Sequence, residues 1–585
     1  MSRKLICGVD YGTTFIGVCY AWSDAENVSD IHIVSSWPST GSTGGDYGHQ
    51  SQVASRISYQ PAEQWGYAIE PRAEAFCWTK LLLDRHTIAT EYDDKRLREV
   101  DGGGILTLPS WKSAEEVVTD FLTHLYKHVM KYLATIITAP ILDLTAIEWW
   151  FTVPAVWSIR AQEATRKAAC KAGFGSRPGD TIHMVKEPEA AAMASLHLTT
   201  RENKQLIEVG DGILICDCGG GTVDLASYLI KSITPKLQLD QVCVSEGGKC
   251  GSTTIDRAFH GLMQDRFGES FTKLPQSRKG ASSKFMGDFE RTKRAFGSLT
   301  NDTTYGITLP LDVEQSAHYD EAYSEVLVTS TDMRSLFDPV VDHVIALLEQ
   351  QVNASESGEA VKIKTIILVG GFGSSAYLQD KVRAWAKTNL GLEVPKLQKH
   401  WEAICIGAAL CGLEGRGIHN RKARYHIGFV FNMPFRSGID DEHTAIIDWF
   451  DGVKRTPNRM SWVINRGGNI TNETQKTESF QRKWLKYSEK KWQLDLWQCI
   501  SHVAPDWFDE DVKLLGTIDI DLTAVNLTGF PSKRKLSSVH PYKAQRYYRV
   551  DYDIAIVPED DLGYMQFKVL VRGDKVGEAK LRFGD

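Results

Sequence analysis

The chain has 585 residues, which is too long for one hydrophobic core and enough for about three to five. Its apolar, charged, glycine and proline fractions are ordinary for a soluble globular protein. The net charge of -7 argues against nucleic acid as the main partner, and the one run of three basic residues, at 533–535, is typical of a solvated face.

Membrane insertion and secretion are not expected from the sequence. No window of about twenty residues is free of charge, and the apolar run that follows Lys4 ends at Asp10, which is too short for a signal peptide. The eleven cysteines are scattered, several of them in apolar runs, which indicates buried thiols in a reducing compartment. Cys216 and Cys218 flank Asp217, but no second pair follows at zinc-finger spacing. We therefore predict a cytoplasmic protein, with a nuclear location as the alternative.

One motif occurs twice. At residues 5–14 an apolar strand leads into Asp10 and a Gly/Thr turn, and residues 214–224 repeat the pattern around Asp217. An aspartate at a strand end can hold a hydrated divalent cation, and glycines let backbone N–H groups approach phosphate oxygens. Two such hairpins that face each other could hold a triphosphate from both sides. A purely structural turn is the alternative for either copy.

Between the two copies and after them, strand-like and helix-like segments alternate up to about residue 415, as in an α/β domain. Ser113 and Glu116 form a capping box that predicts a helix start. A glycine loop at 370–373 separates a buried strand from a helix. The other predicted elements are strands at 149–153 and 365–369 and helices at 113–132, 162–173, 285–296, from 375 on, and 403–410, the last ending near 415.

The pattern changes at about residue 425. From there on, apolar residues recur with period two, in aromatic-rich segments such as 460–464, 514–522, 548–556 and 564–570. This pattern predicts an all-β domain of the sandwich type.

Five segments in order resemble the actin-like ATPase superfamily and, in detail, the 70-kDa heat-shock chaperone family. They are the two hairpins, Val153-Pro154-Ala155 before a helix, residues 185–192, and Val369-Gly370-Gly371 followed by the helix at 403–410. The resemblance is strong over residues 1–415 and weaker, but in order, beyond them.

The resemblance implies an α/β fold with two domains. The first is an actin-like nucleotide-binding domain at 1–415 with two duplicated, ribonuclease-H-like lobes (about 1–205 and about 206–400) and a closing helix (about 401–415). A linker at 416–425 and a β-rich domain at 426–585 follow; the latter resembles a substrate-binding domain without its helical lid, as in the divergent, lidless branch of the family.

The resemblance also implies roles for individual residues. Asp10 and Asp217 would hold magnesium through water, Lys80 would orient the attacking water, and Glu187 would lie near the metal shell. With Thr222 these are the candidate catalytic residues. The candidate nucleotide-binding residues are Gly12, Thr13, Thr14, Gly219, Gly220 and Gly221 for phosphate, and Glu290, Lys293, Arg294, Gly370 and Gly371 for adenosine.

The chemistry of these residue types supports the implied roles. Phosphoryl transfer needs mainly positioning and charge neutralisation, and Mg²⁺ prefers a hydrated site with few carboxylates. For each of these residues, a structural role unrelated to nucleotide binding is the alternative. Lys80 would then be a solvent-facing helix lysine, Glu187 would only cap a helix, and the trio at 290–294 would be a solvated helix face.

Several positions depart from the family pattern. Ser374 stands where an arginine is expected to stack on adenine, so adenine is held less tightly or by another group. Gln162 stands at the relay arginine position, with Arg160 two residues away, which puts coupling between the domains in doubt. Residues 401–402 read Trp-Glu where the family has an acid first. The linker is basic and polar, and without a lid a bound peptide should exchange quickly.

The sequence leaves three hypotheses. The first is Mg²⁺-dependent binding and slow hydrolysis of ATP, with the nucleotide state biasing a β domain that binds extended polypeptide; its partners would be unfolded clients and co-chaperones, without nucleic acid or membrane. The second is a sugar-type kinase of the same superfamily, which needs an aspartate base facing an open cleft. The third is a scaffold that binds ATP and hardly hydrolyses it. For the β domain, a sandwich with no peptide groove is the alternative.

Overall fold

The structure is a computed structural model of mixed α/β character with several sheets. It describes residues 3–39, 50–70, 72–84, 90–98, 105–202, 207–297, 302–395, 401–471, 476–485, 488–536, 544–558, 565–579 and 581–582. The chain forms two compact units, the N-terminal unit (Met1–Ile418) and the C-terminal unit (His419–Asp585).

The N-terminal unit contains strands and helices that alternate along the chain. The strands are β1 (Leu5–Tyr11), β2 (Phe15–Trp22), β3 (His32–Ile33), β4 (Val53–Ala54), β5 (Arg56–Ser58), β6 (Gln64–Trp65), β7 (Phe76–Cys77), β8 (Ile147–Val153), β9 (Thr181–Lys186), β10 (Gly212–Cys218), β11 (Val223–Ser232), β12 (Gln238–Gln241), β13 (Glu246–Gly248), β14 (Thr304–Thr308), β15 (Tyr319–Asp320), β16 (Glu325–Thr329) and β17 (Ile363–Val369). The helices are α1 (Ala114–Ile137), α2 (Ala139–Leu144), α3 (Ile159–Ala172), α4 (Glu187–Glu202), α5 (Thr253–Thr272), α6 (Gln276–Lys279), α7 (Lys284–Ala295), α8 (Ser330–Gly358), α9 (Gly370–Gly373), α10 (Ala376–Leu390) and α11 (Ala403–Glu414). Short 3-10 helices cover Val28–Asp30, Thr79–Asp84 and Lys95–Arg98.

Two sheets of this unit repeat one topology. In the first, the order is β3-β2-β1-β8-β9, with β1 antiparallel to β2 and parallel to β8. In the second, β12-β11-β10-β17 follow one another, with β10 antiparallel to β11 and parallel to β17. Strands β1 and β10 are buried along their whole length, as the strands of sheets covered on both faces usually are. The duplicated motif therefore forms the central hairpin of each sheet.

Local sequence signals set several helix ends. Ser113 and Glu116 make the predicted capping box at the start of α1, and Gly173 ends α3 in the left-handed conformation. The side chain of Ser375 caps α10 by accepting a hydrogen bond from the Leu378 backbone N–H. These predicted helices are confirmed, with bounds that differ by a few residues.

Helices α4 and α11 pack closely because small residues face each other. A Cβ atom at Gly407 of α11 would overlap the backbone carbonyl oxygen of Ala190 in α4. We expect Gly407→Ala to lower the thermal midpoint of the N-terminal unit, at a cost of about 1–3 kcal/mol, since two backbones would have to separate. Gly358→Ala, near the end of α8, is the control: no described atom lies within 4 Å of its added Cβ. Equal midpoints in the two variants would contradict this packing.

The described part of the C-terminal unit consists of strands and loops, without a helix. Its strands, the first of which begins at the boundary, are β18 (Ile418–Lys422), β19 (His426–Pro434), β20 (Ile446–Ile447), β21 (Lys454–Ile464), β22 (Asn469–Ile470), β23 (Lys476–Leu485), β24 (Lys491–Cys499), β25 (Lys513–Asp521), β26 (Ser532–Leu536), β27 (Ala544–Pro558), β28 (Met565–Val571), β29 (Asp574–Ala579) and β30 (Leu581–Arg582).

Two sheets of the C-terminal unit meet through aromatic side chains. One has the order β20-β21-β19-β24-β25-β30 and the other the order β23-β27-β28-β29. Phe429 on β19 packs edge-on against Phe480 on β23, with ring centroids 5.0 Å apart, and Phe480 stacks on Tyr552 of β27. The period-two pattern of the sequence thus places aromatic residues between two sheets. Among the described residues, no helix of either unit is both long and apolar enough to cross a membrane.

Candidate functional site

The turns of the two central hairpins touch each other. A Cβ atom at Gly220 would lie 2.6 Å from Cγ2 of Thr14, and one at Gly221 would overlap Oγ1 of Thr13. Within the second turn, the Gly219 N–H donates to the carbonyl oxygen of Thr222 at 2.9 Å. Because the glycines carry no side chain, the turn of one hairpin can close on the threonines of the other.

A cavity of about 60 Å³ lies between these turns and is called here the smaller cavity. It is lined by residues from both hairpins and from five further segments of the N-terminal unit, at Gln52, Lys80, Glu187, 370–371 and 401–404. Every residue predicted for the phosphate and metal end lines it: Asp10, Gly12, Thr13, Thr14, Lys80, Glu187, Asp217, Gly219, Gly220, Gly221 and Thr222. Gly370 and Gly371 line it as well.

Carboxylates crowd one end of the smaller cavity. Asp10, Asp217 and Glu187 are 7%, 3% and 6% exposed, and Thr152 donates its hydroxyl to Oδ1 of Asp10 at 3.0 Å. Burial and the nearby Glu187 charge raise the pKa of Asp10 to about 7, against the opposing effect of Lys80. Burial, then Glu187 and other acidic neighbours, raise the pKa of Asp217 well above its ordinary value. The carboxylates therefore repel one another at a site where burial weakens the screening of charge by solvent.

The donor set fits a hydrated divalent cation. Oδ1 of Asp217 is buried and accepts no hydrogen bond from the described residues, and the backbone of Gly370 (φ +81°) approaches this oxygen so closely that a Cβ would overlap it. In the described part of the chain, no three His, Cys, Asp or Glu side chains come close enough to ligate a metal directly. A cation here would keep much of its water, as Mg²⁺ commonly does, and would relieve the carboxylate repulsion.

Lys80 and Glu187 form a buried ion pair. The Lys80 Nζ donates to Oε1 of Glu187 at 2.8 Å, and the two side chains are 3% and 8% exposed. The ammonium group also lies 5.2 Å from the ring centroid of Trp157 and 5.5 Å from that of Tyr11. The solvent-facing alternative for Lys80 is wrong. Glu187 does begin α4, and its carboxylate is held by Lys80 in addition.

A second cavity of about 270 Å³, the larger cavity, adjoins the first. The two share Thr14, Phe15, Gly220, Gly371 and Trp401 in their walls. The larger cavity is also lined by Glu290, Lys293 and Arg294, which are predicted for the adenosine end. Ser374, which stands where the family pattern has an arginine, lines it too.

The trio on α7 does not form a solvated helix face. Lys293 is 6% exposed, and its Nζ pairs with Asp256 at 2.7 Å and with Glu290 at 2.6 Å. Arg294 is half exposed, but its guanidinium lies over the rings of Phe15 and Trp401. All three side chains face the larger cavity.

Sequence reasoning missed several residues at this site, and the positions of four of them show why. Thr152, which holds Asp10, and Asp256, which holds Lys293, carry no local signal because their partners are distant in the chain. Phe15 follows the first Gly/Thr turn directly, and Trp401 stands at a noted departure, so both could have been suspected from their positions. Only the packing shows that both line the two cavities.

The chain is similar to curated heat-shock proteins, although no protein-family model matches it. It is 24% identical to human heat shock 70 kDa protein 12A, in an alignment that covers 95% of this chain and 90% of that protein. It is 26% identical to human heat shock 70 kDa protein 12B over 70% of this chain and 69% of that protein. A heat shock protein homologue of Encephalitozoon cuniculi is 37% identical over 157 residues, which are 26% of this chain and 22% of that protein.

Proposed function

Because this chain is a divergent HSP70-like protein, related over most of its length to heat shock 70 kDa proteins 12A and 12B, we propose that it binds MgATP in the two adjoining cavities and hydrolyses it slowly. The observation that carries the proposal is the smaller cavity. There, two glycine- and threonine-rich turns close on each other beside buried carboxylates and the Lys80–Glu187 ion pair. The repeated sheet topology supports the two-lobed, actin-like arrangement that such a site requires.

The residues of the smaller cavity suit in-line hydrolysis. Backbone N–H groups of the turns and the threonine hydroxyls would donate to phosphate oxygens, and Lys80 would supply positive charge near the attacking water. Glu187 would hold Lys80 in position. Asp10 and Asp217 would hold a Mg²⁺ ion through its water ligands, and the ion would neutralise phosphate charge.

A kinase reaction is supported less well by the same geometry. A sugar-type kinase needs a carboxylate base that faces an open substrate cleft. Asp10 and Asp217 are buried, and Glu187 is engaged by Lys80. We therefore infer that water is the acceptor and that phosphate is released without an added alcohol.

A thermal-shift experiment on the full chain tests nucleotide binding. We expect Mg²⁺ with ATP or ADP to raise the unfolding midpoint, because a ligand that binds only the folded state stabilises it; saturation at 100 times the dissociation constant gives about 2.7 kcal/mol. EDTA should remove most of this shift. Formation of ADP and of free phosphate would be measured in parallel with and without a hexose. No shift with MgATP would overturn the proposal, and ADP formation that strictly requires the hexose, without free phosphate, would favour the kinase.

The proposal includes the C-terminal unit as a binding site for extended polypeptide. Strand β26 is exposed along its whole length and, among the described strands, pairs with β27 alone. Such an edge offers backbone groups for strand addition. We expect the full chain to bind a fluorescent, permanently unfolded polypeptide, with affinities that differ about fivefold or more between the ATP and ADP states. Anisotropy titrations measure this, and equal affinities would contradict the coupling.

A further inference from the structure

The loop that follows Gly371 lacks the arginine that the family resemblance leads one to expect as a stacking group in the larger cavity. Ser374 occupies that position, and its hydroxyl donates to the carbonyl oxygen of Gly371 at 2.7 Å. It therefore offers neither a flat surface nor a free donor to a base. A planar group must come from elsewhere in the wall of the cavity.

Trp401 is the aromatic residue best placed to supply it. Its six-membered ring lies against the loop that begins at Gly370, where the position of a Cβ at Gly371 would be 3.3 Å from the ring. The Gln52 side chain donates to the backbone carbonyl of Trp401 at 3.1 Å, and the ring of Phe15 meets the indole edge-on, with centroids 6.2 Å apart. Gly371 and Phe15 thus contact the indole ring at the junction of the two cavities, and Gln52 fixes the backbone of Trp401.

Arg294 covers the indole from the opposite wall. Its guanidinium carbon lies 4.8 Å from the centroid of Trp401 and 5.2 Å from that of Phe15. The side chain is 46% exposed and is tied by an ion pair to Glu290 on its own helix. Arg294 can therefore swing outward while Trp401 stays in place.

We propose that the nucleobase stacks on Trp401, with Arg294 closing over its other face, so that this site takes purine nucleotides as a class. The inference rests on the proposed function and concerns its base-binding end. Indole and guanidinium faces both stack well on a flat π system. A base that enters between them would replace the present contact of Arg294 with Trp401 by two stacking contacts.

The polar groups of the larger cavity indicate that the site discriminates little between adenine and guanine. Five of the polar side chains that line this cavity already have partners within the protein. Lys293 pairs with Asp256 and Glu290. Arg294 pairs with Glu290, and the hydroxyl of Ser374 donates to Gly371. Stacking does not read the hydrogen-bonding edge of a base. Strong discrimination usually requires a site built to hydrogen-bond that edge. We therefore expect ATP and GTP to bind with affinities within about tenfold of each other.

Calorimetric titrations of the full chain with MgATP, MgGTP and magnesium tripolyphosphate test the inference. Trp401→Ala should weaken both nucleotides by at least about fivefold and should weaken tripolyphosphate much less, because the polyphosphate has no base to stack on the indole. Trp401→Phe should retain most of the nucleotide affinity. Trp111→Ala, which removes a 59% exposed indole outside both cavities, is the matched control and should bind like the wild type.

A rescue variant tests whether Trp401→Ala loses nucleotide affinity through the lost stacking surface or through a disturbed structure. Trp401→Ala combined with Ser374→Arg should regain nucleotide affinity, since the new guanidinium would offer a stacking face. Loss of tripolyphosphate binding in Trp401→Ala, unchanged nucleotide binding in that variant, or GTP binding a thousandfold weaker than ATP would each overturn the inference. A wild-type protein that binds neither ATP nor tripolyphosphate would overturn the proposed function itself.

Discussion

Replacing Asp217 by asparagine is expected to leave the nucleotide-free protein at least as stable as the wild type and to remove most of its stabilisation by MgATP. The Asp217 carboxylate is buried, and Oδ1 has no hydrogen-bond partner among the described residues. Burial and nearby acidic groups raise its pKa well above the ordinary value. A charge at this position opposes folding, and asparagine has nearly the same shape without the charge.

The same substitution removes half of the carboxylate pair that would hold the hydrated cation. Loss of a group that acts on a metal through its surrounding shell typically costs about 10- to 100-fold in metal affinity or activity. Melting curves across a Mg²⁺ titration at fixed ATP measure both effects on one sample. Asp180→Asn is the matched control, because that carboxylate side chain is also buried but lies outside both cavities. A full MgATP shift in Asp217→Asn would show that the cation is held elsewhere.

Single and double substitutions of the buried Lys80–Glu187 pair are expected to affect the stability of the protein and its rate of ATP hydrolysis differently. Lys80→Met leaves Glu187 uncompensated in a buried place, and Glu187→Gln does the same to Lys80. Breaking a buried ion pair from one side typically costs about 3–5 kcal/mol. The double variant removes both charges, so it should recover most of the lost stability. A double-mutant cycle on the thermal midpoints measures this coupling.

Turnover should not recover in the double variant. Removing a group that stabilises transition-state charge commonly costs about 10²–10³ in rate, so we expect both Lys80→Met and the double variant to release phosphate at least about 100-fold more slowly than the wild type. Single-turnover assays with MgATP measure it, and ATP binding should change far less. A double variant with the wild-type rate would make the pair purely structural. If the wild type itself shows a negligible rate while ATP still raises its melting midpoint, the scaffold hypothesis is favoured.

Local signals account for much of what could be predicted. Apolar runs ending in aspartate became β1 and β10, the Ser113 and Glu116 pair capped α1, and Gly173 closed α3. Each depends on interactions within a few residues, which an amino-acid pattern expresses directly. The period-two segments after residue 425 likewise became strands, since alternation reflects a sheet with one buried face.

Contacts between distant residues could not be predicted in this way. Lys80 meets Glu187 across 107 positions of the chain, and Lys293 meets Asp256 because α7 packs beside the start of α5. Neither lysine differs in its local sequence from one that faces solvent. The family resemblance pointed to Lys80 and Lys293 but not to Asp256 or Thr152.

The sequence by itself determined the duplicated hairpins, with an aspartate and a flexible turn in each, because strand propensity, the short reach of aspartate and the conformational freedom of glycine are properties of neighbouring residues. Only the tertiary structure decided what surrounds them. Packing brings the two turns together, buries Lys80 against Glu187, and sets Trp401 beneath Arg294 at the junction of the two cavities. Burial and proximity are properties of the whole fold. They raise the pKa values of Asp10 and Asp217 and bring Lys80 into a buried ion pair.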